Sequence, residues 1–389
     1  MSRLGLDAQL KMYAQSLTGK STWDWPVSIE DWRAQARATL ADGPWGYLEG
    51  GAGAEQTMKN NRTAFDQWRI RPRMLRNVAD RDLQVELFGK TFATPYFLAP
   101  IGVQSILHSD AESASAKAAA AMHIPFITST VSSVDLETLA RDANGVERWF
   151  QLYPGRDPAI VRSFLRRAEA AGYTAIVVTV DTTMLGWRET DLRNLYLPFL
   201  FAEGVANFFT DSAFRARLKE APEQNRPAAV QEFLSVYVNP AFTWDDLADI
   251  RQQTQLPLLV KGLTHVDDVQ QAIALGADGV VLSNHGGRQV DGAISPLDAL
   301  IEVRQHIGPD FPLLLDSGIR HAADALKAIA LGANAVLIGR PYGYALAVGG
   351  QAGVQELLSQ WVAELDLQLA LSGFSAIRDL DTTYVTRLP

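Results

Sequence analysis

Eight short hydrophobic runs punctuate the chain: PYFLAP (95–100), IPFITS (124–129), RWFQLY (148–153), AIVVTVD (175–181), LPLLVKG (256–262), GVVLSNH (279–285), PLLLDSG (312–318) and AVLIGR (335–340). A strand with one wet face alternates apolar and polar residues. Runs without that alternation predict strands buried on both faces, as in a parallel sheet. Between them lie stretches of helical character, such as AESASAKAAAAM, AIVRSFLRRAEAAG, VDDVQQAIALG and AADALKAIALG, and several end in glycine, a favoured helix stop. Eight strand–helix units predict an α/β chain folded as a (β/α)8 TIM barrel, with an open doubly wound sheet as the alternative. The dinucleotide fingerprint GxGxxG is missing. Its nearest match, GGAGAE at 50–55, follows WGYLE and not a buried strand.

Two stretches fall outside this rhythm. About the first 90 residues look helical with a Gly-rich turn and are expected to form a lid or base cap, not a separate domain, within one domain spanning 1–389. The interval of about 186–242 is too long for a simple strand–helix connection. It contains LYLPFLFAEGVANFFTD, unusually apolar for a loop, and three readings stay open: an active-site lid, a subunit contact and a membrane-touching patch. The mixed charge of DSAFRARLKEAPEQNR weakens the membrane reading, and the lid is taken first.

Composition narrows the chemistry. The absence of cysteine removes disulfides, thiolate metal ligands, a Cys nucleophile and any cysteinyl-tethered cofactor, and no metal site is expected. A net charge of −9 argues against a nucleic-acid partner. The N-terminus shows no signal-peptide pattern and no run approaches membrane-spanning length, so a cytoplasmic protein without a membrane partner is expected.

In a barrel of this kind the chemistry sits at the C-terminal ends of the strands. Those ends carry Gly102, Ser129, Gln151, Tyr153, Thr179, Asp181, Lys261, Ser283, His285, Arg288, Asp316, Arg320, Gly339 and Arg340. Of six histidines only His285 falls at such an end. His123 and His306 precede strands, where a structural role is expected; His108, His265 and His321 lie in loops or at helix starts, where they would cap or meet solvent. The segments DSGIRHAAD and LIGRPYG follow the last two strands, the usual phosphate site of these barrels. Gly318 and Gly339 would let the backbone approach a dianion, and Arg320 and Arg340 would supply charge. Flavin mononucleotide accounts for the remaining polar ends: Ser129, Gln151 and Thr179 suit the polar edge of its ring, and Lys261 would stabilise negative charge near N1 and O2. Two rivals treat Lys261 as a salt-bridged interior lysine or as a Schiff-base lysine; the latter leaves the doubled phosphate motif unexplained.

With these residues in hand, the sequence resembles the FMN-dependent 2-hydroxy acid oxidase and dehydrogenase family. The signature is SNHGGRQ, and YLEGGAGAE, LAPIG, FQLY, TVDT, GWRETD, VKG, DSGIR and IGRP accompany it over about residues 25–380. Within the family the chain is most similar to the lactate monooxygenase branch, through the long strand-four loop, the PIGV turn and the SNHGGRQ spelling. The resemblance implies that His285 is the base, with Asp181 stabilising its protonated form. Arg288 and Arg188 would hold the substrate carboxylate with Tyr47 assisting, and Tyr153 would contact the hydroxyl. It further implies FMN contacts from Pro100, Ile101, Gly102, Ser129, Gln151, Thr179, Lys261 and Ser283, and from Asp316, Gly318, Arg320, Gly339 and Arg340 for the ribityl chain and phosphate. Val131 departs from glycolate-oxidising relatives, which often carry tryptophan there.

Three residues apart, His285 and Arg288 can address the carbinol and the carboxylate of one small molecule. The resemblance implies oxidation of a small L-2-hydroxy acid, foremost L-lactate, with oxygen as second substrate and a homo-oligomer, a tetramer or larger. Three outcomes stay open: a monooxygenase giving acetate, an oxidase giving pyruvate and hydrogen peroxide, and a quinone-linked dehydrogenase. The rival from another class is a non-redox, phospholigand-binding barrel. Whether the base takes the Cα proton or the hydroxyl proton also stays open.

Overall fold

The protein, described here by a computed structural model over residues 4–388, is a (β/α)8 barrel. Helices α1 (Leu4–Ala14), α2 (Ile29–Thr39), α3 (Asp42–Glu49) and α4 (Gln56–Asp66) lead into β1 (Trp68–Ile70) and a hairpin of β2 (Val85–Leu87) and β3 (Lys90–Phe92). The barrel then alternates β4 (Tyr96–Leu98), α5 (Ala111–Met122), β5 (Phe126–Ser129), α6 (Leu136–Asp142), β6 (Arg148–Leu152), α7 (Pro158–Ala170) and β7 (Ala175–Thr179). After β7 come the short helices α8 (Glu189–Arg193), α9 (Ala206–Thr210) and α10 (Ser212–Arg215), followed by α11 (Arg226–Tyr237). Alternation resumes with α12 (Trp244–Gln252), β8 (Leu258–Leu263), α13 (Val266–Ala274), β9 (Gly279–Leu282), α14 (Pro296–Ile307), β10 (Leu313–Leu315), α15 (Ala322–Ala330), β11 (Ala335–Ile338) and α16 (Arg340–Leu371). Strand β12 (Val385–Arg387) pairs antiparallel with β1.

Each of the eight hydrophobic runs forms a barrel strand, and β11 pairs with β4 to close the ring. Both faces of these strands are covered, which explains the missing alternation. Outward residues such as Phe150, Val178, Val260 and Leu282 pack under the helices. Inward residues Phe97, Ile127, Trp149, Val177, Leu259, Val281, Leu314 and Leu337 form a second core inside the barrel.

The N-terminal region departs from its helical expectation. Its last third is extended, and the β2–β3 hairpin supplies Leu87 and Phe92 to the barrel's inner core. Phe92 lies 5.0 Å from Phe97 and 6.5 Å from Trp149, ring centre to ring centre, so the hairpin plugs the base of the barrel. Its turn places Phe88 at φ 52° and Gly89 at φ 71°, the double left-handed geometry of a tight hairpin. Helices α3 and α4 meet the opposite end, through hydrogen bonds to the loops after β9 and β11. The region thus covers both the base and the mouth.

The insert after β7 is a packed unit. Phe199, Phe208, Phe214 and Phe233 are fully buried, and Phe208 and Phe233 lie 4.8 Å apart. Leu200 and Phe201 remain exposed. Among the described residues no helix is long and apolar enough to cross a membrane.

Candidate active site

Side chains on a strand alternate between faces, so the inner core residues and those two positions further on share the barrel interior. Two steps beyond Ile127, Trp149, Val177, Leu259, Val281, Leu314 and Leu337 stand Ser129, Gln151, Thr179, Lys261, Ser283, Asp316 and Gly339. Seven of the eight inward rows therefore end in a polar residue or glycine at the mouth, and the row of Phe97 ends in Ala99. Lys261 Nζ donates to Ser283 Oγ at 2.8 Å and lies 3.2 Å from Asp316 Oδ2. Burial would depress the ammonium, but the Asp316 and Asp181 carboxylates outweigh it and raise the pKa above the ordinary value, so Lys261 is a buried cation. Gly262 beside it has φ 108°, and a Cβ there would stand 2.6 Å from Asp181 Cβ. Only glycine lets β8 pass this close to Asp181.

His285 sits on a left-handed turn at φ 56°, followed by Gly286 at 65° and Gly287 at 76°. Its Nδ1 meets Asp181 Oδ1 at 2.8 Å, and Thr182 Oγ1 donates to the same carboxylate oxygen at 2.9 Å. A carboxylate at Nδ1 fixes the ring proton there and leaves the Nε2 lone pair free. Nε2 lies 3.5 Å from Tyr153 Oη. Burial, and beyond it the charges of Lys261 and Arg188, keep the imidazole pKa below its ordinary value although Asp181 pulls it up. Burial would raise Asp181 in turn, but the His285 and Lys261 charges and two hydrogen bonds hold it at about 2. The pair is a neutral imidazole backed by a carboxylate, the resting state of a general base.

Arg288 stands across the pocket. Its Nη1 donates to the carbonyls of Tyr47 and Gly50, and its guanidinium lies 4.9 Å from the Tyr47 ring centre. Burial and the nearby Arg188 charge depress it to about 9. Arg188 is 6% exposed and is held by Gln289 Oε1 at 2.9 Å and by the Arg288 carbonyl at 3.1 Å. Arg288 is half-buried, and Asp191 Oδ2 lies 3.9 Å from Arg188 Nη1, so two guanidiniums share one nearby carboxylate, an arrangement that suits a further anion.

Arg320 and Arg340 meet behind this site. Burial, and then the charges of Arg340 and Arg62, depress Arg320. Arg340 is more committed than its sequence position implied: its nitrogens donate to the carbonyls of Leu48, Gly286 and Gly50 at 2.8–3.1 Å. It braces the mouth as well as facing it. Helix α16 begins at Arg340, so a helix N-terminus and two arginines frame one anion-seeking corner.

One cavity of about 1100 Å³, counted with its open mouth, joins these parts. Tyr47, Pro100, Ile101, Gly102, Tyr153, Arg188, Lys261, His285, Arg288, Asp316, Gly318, Arg320, Gly339 and Arg340 line it. Asp181, Ser129, Gln151, Thr179 and Ser283 are not among its lining residues, though Asp181 and Ser283 bond directly to the lining residues His285 and Lys261. Gln151 Nε2 and Thr179 Oγ1 are buried without a hydrogen-bond partner, and a buried orphan of this kind costs about 1–3 kcal/mol. FMN fits: its ring carries groups that pair with such orphans, and its phosphate answers Arg320 and the α16 terminus.

Tyr237, Thr182, Leu185 and Ser317 also line the cavity and were not read from the sequence. Tyr237 comes from the insert and meets Tyr153 edge-on at 5.6 Å. Nothing local in LSVYVNP marks it. Thr182 and Ser317 adjoin residues that were read, and their position beside strand ends was the available signal. The remaining histidines act locally: His265 and His321 stand at the N-caps of α13 and α15, His123 ends α5 in a left-handed conformation, His108 Nδ1 accepts from Asp110 N–H, and His306 Nδ1 meets the Glu302 carbonyl. Among the described residues no group of three or more His, Asp or Glu side chains is placed to hold a metal.

Residues 36–387 match the family of FMN-dependent dehydrogenases. An L-lactate oxidase of Lysinibacillus sphaericus (strain C3-41) is 42% identical, covering 92% of each chain. The 2-Hydroxyacid oxidase 1 of Mus musculus is 37% identical over 93% of this chain and 97% of its own. Among solved structures, an oxidized active mutant of (S)-mandelate dehydrogenase superposes with a TM-score of 0.85 at 38% identity, over 93% of this chain and 99% of its own.

Proposed function

The chain belongs to the FMN-dependent dehydrogenase family and oxidises 2-hydroxy acids with FMN; from that premise we propose L-lactate as its substrate and oxygen as its second substrate. In this reading lactate and O2 become acetate, carbon dioxide and water, the outcome of a lactate 2-monooxygenase. The observation that carries the chemistry is one pocket lined by a carboxylate-backed imidazole and by two arginines, Arg188 and Arg288. The 42% identity to a protein named L-lactate oxidase supports lactate.

Arg288 and Arg188 bind the substrate carboxylate, with Tyr47 beside them, and so fix where the carbinol lies. Tyr153 contacts the substrate hydroxyl. Nε2 of His285 takes the departing proton, from Cα or from the hydroxyl, and Asp181 stabilises the imidazolium that results. FMN, when bound, would supply the acceptor for the two electrons. Pro100, Ile101, Gly102, Ser129, Gln151, Thr179 and Lys261 would hold its ring. Ser283, Asp316, Gly318, Arg320, Gly339 and Arg340 would hold the ribityl chain and phosphate. The packed insert, reaching the pocket through Tyr237, would keep pyruvate and peroxide together long enough to react.

A second reading, an L-lactate oxidase that releases pyruvate and hydrogen peroxide, is favoured by the name of the same relative. Acetate, pyruvate and peroxide measured per oxygen consumed, with catalase as a control, separate the two. Mainly acetate supports the monooxygenase; stoichiometric peroxide makes the chain an oxidase. Trimming the insert is a poor test because its phenylalanines form a core of their own. Gly102→Ala is a better one. A methyl there would stand 2.5 Å from the Val131 carbonyl, which already accepts from Val103 N–H, so the wall beside the ring must move. The expected result is a shift from acetate towards pyruvate and peroxide.

The reading includes a cytoplasmic homo-oligomer, a tetramer or larger. Exposed apolar side chains in one stretch, Met184, Leu185, Trp187, Leu195 and Phe201, support the assembly, and sedimentation would measure it.

A further inference from the structure

Three successive left-handed residues, His285, Gly286 and Gly287, make a turn that a histidine does not adopt unaided. Each of its amides is answered by a side-chain oxygen. His285 N–H donates to Ser283 Oγ at 3.0 Å, Gly286 N–H to Ser317 Oγ at 2.9 Å, and Gly287 N–H is shared between Asn284 Oδ1 at 3.1 Å and the Asn284 carbonyl at 3.0 Å. The bond to Oδ1 depends on how the Asn284 amide is oriented.

That orientation is set from outside the barrel. Asn61 on α4 is 2% exposed, and its amide pairs reciprocally with that of Asn284. Asn61 Nδ2 donates to Asn284 Oδ1 at 2.8 Å, and Asn284 Nδ2 donates to Asn61 Oδ1 at 2.6 Å and to the Ile294 carbonyl at 3.1 Å. With both ends of the amide engaged, Asn284 cannot flip, and its oxygen is left facing Gly287 N–H. Helix α4 also packs so closely that a Cβ on Gly287 would stand 2.7 Å from Met58 N.

We propose that Asn61 is a positioning residue for the catalytic base: through the paired amides it locks Asn284 and holds the left-handed turn that aims His285 into the pocket. The inference rests on His285 being the base. Asn61 does not line the cavity, so its influence passes through Asn284 and the turn.

Asn61→Asp is the informative change. It keeps the size and one hydrogen bond, but it sets a carboxylate oxygen against Asn284 Oδ1, one of the two acceptors of Gly287 N–H. The expected result is a rate of anaerobic flavin reduction by L-lactate lowered about tenfold to a hundredfold per bound FMN, the scale of a misplaced reacting group. The deuterium isotope effect at the substrate Cα should rise, because cleavage of the Cα–H bond becomes more limiting. FMN retention, and the affinity for oxalate as an inert carboxylate, should stay near native. A native rate per flavin with a native isotope effect overturns the proposal, whatever the melting temperature does. If Asn61→Asp does not fold, Asn61→Ala is measured in the same way. Failure of both to give folded flavoprotein assigns Asn61 a purely structural role and also overturns it. His285→Gln runs alongside. Native reduction in that variant removes the base assignment itself, whereas a dead His285→Gln beside a native-rate Asn61→Asp removes only the positioning role.

Discussion

The inward-facing rows of the barrel change character along their length. At the base, Phe97, Trp149, Leu259, Val281 and Leu314 close on the hairpin residues Leu87 and Phe92, with Phe97 and Trp149 rings 4.8 Å apart. Two residues further along the same strands stand Gln151, Lys261, Ser283 and Asp316, with a buried cation and, at Gln151, a nitrogen lacking a partner. The base gains stability from apolar burial and satisfies itself. The mouth carries buried charge, a left-handed histidine held by its neighbours, and orphaned polar atoms that cost stability until a ligand answers them. One backbone scaffold thus serves two purposes, and the two ends should respond to mutation in different quantities: rate at the mouth, stability at the base.

His285→Gln should show the largest effect. A glutamine cannot take the proton, so flavin reduction by L-lactate should fall about 10²–10⁴-fold, read by anaerobic stopped flow. FMN content should hold and the denaturation midpoint should barely move. Phe92→Ala should do the reverse. Removing a buried phenylalanine from the plug costs about 3–5 kcal/mol in a denaturant titration, while the reduction rate per folded, flavin-loaded chain stays native. A Phe92→Ala enzyme of native stability, or one with a collapsed rate, would break the division between base and mouth.

Glu112 sharpens the comparison because it is a stability cost near the mouth. It is fully buried, and one of its oxygens accepts from the amides of Gln104 and Ser133, the first in the loop lining the pocket. Burial pushes its carboxyl from 4.5 to about 7. The folded state therefore binds the proton more tightly than the unfolded state, and stability should fall as pH rises from 4.5 to about 7, by roughly 3 kcal/mol in total. Glu112→Gln keeps the two accepted bonds and should flatten that slope in urea titrations at several pH values.

Arg288→Lys should weaken oxalate binding by about tenfold, since an ammonium keeps the charge and loses the planar fork. FMN retention should stay native; a loss of flavin with unchanged oxalate affinity would move Arg288 into the cofactor site. The smallest effect is a shift in pH dependence. Because burial depresses His285, the acid limb of kcat/KM should lie below 6.5, with activity rising as pH climbs through it. Asp181→Asn removes the group that raises the imidazole and should move that limb lower still. The same depression makes His285 contribute stability that is lost as pH falls below 6.5, where the unfolded imidazole takes up its proton and the folded one resists.

The two ends also differed in how far the sequence revealed them. The mouth was legible because its polar residues interrupt hydrophobic runs at fixed positions: SNH, DSG and VKG stand out where strands end. The base was harder. Strands β2 and β3 are three residues each, too short for periodicity, and their turn is Phe-Gly where Asn-Gly would have been the usual sign. Strand β1 pairs with β12 across the length of the chain, a contact no local pattern encodes. Tyr237 and Asn61 were missed for the same reason: each reaches the site from an element remote in sequence. Arg340 lines the cavity, but its ties to three carbonyls follow from the fold of α3 and the His285 turn and from nothing in IGRP.

The most direct test mixes the native FMN-loaded protein with L-lactate in the absence of oxygen and follows the yellow flavin absorbance. The account predicts complete and rapid bleaching by L-lactate, none by D-lactate, and recovery of the colour when oxygen is admitted. A protein that holds FMN yet stays yellow with L-lactate would contradict the assignment of its substrate.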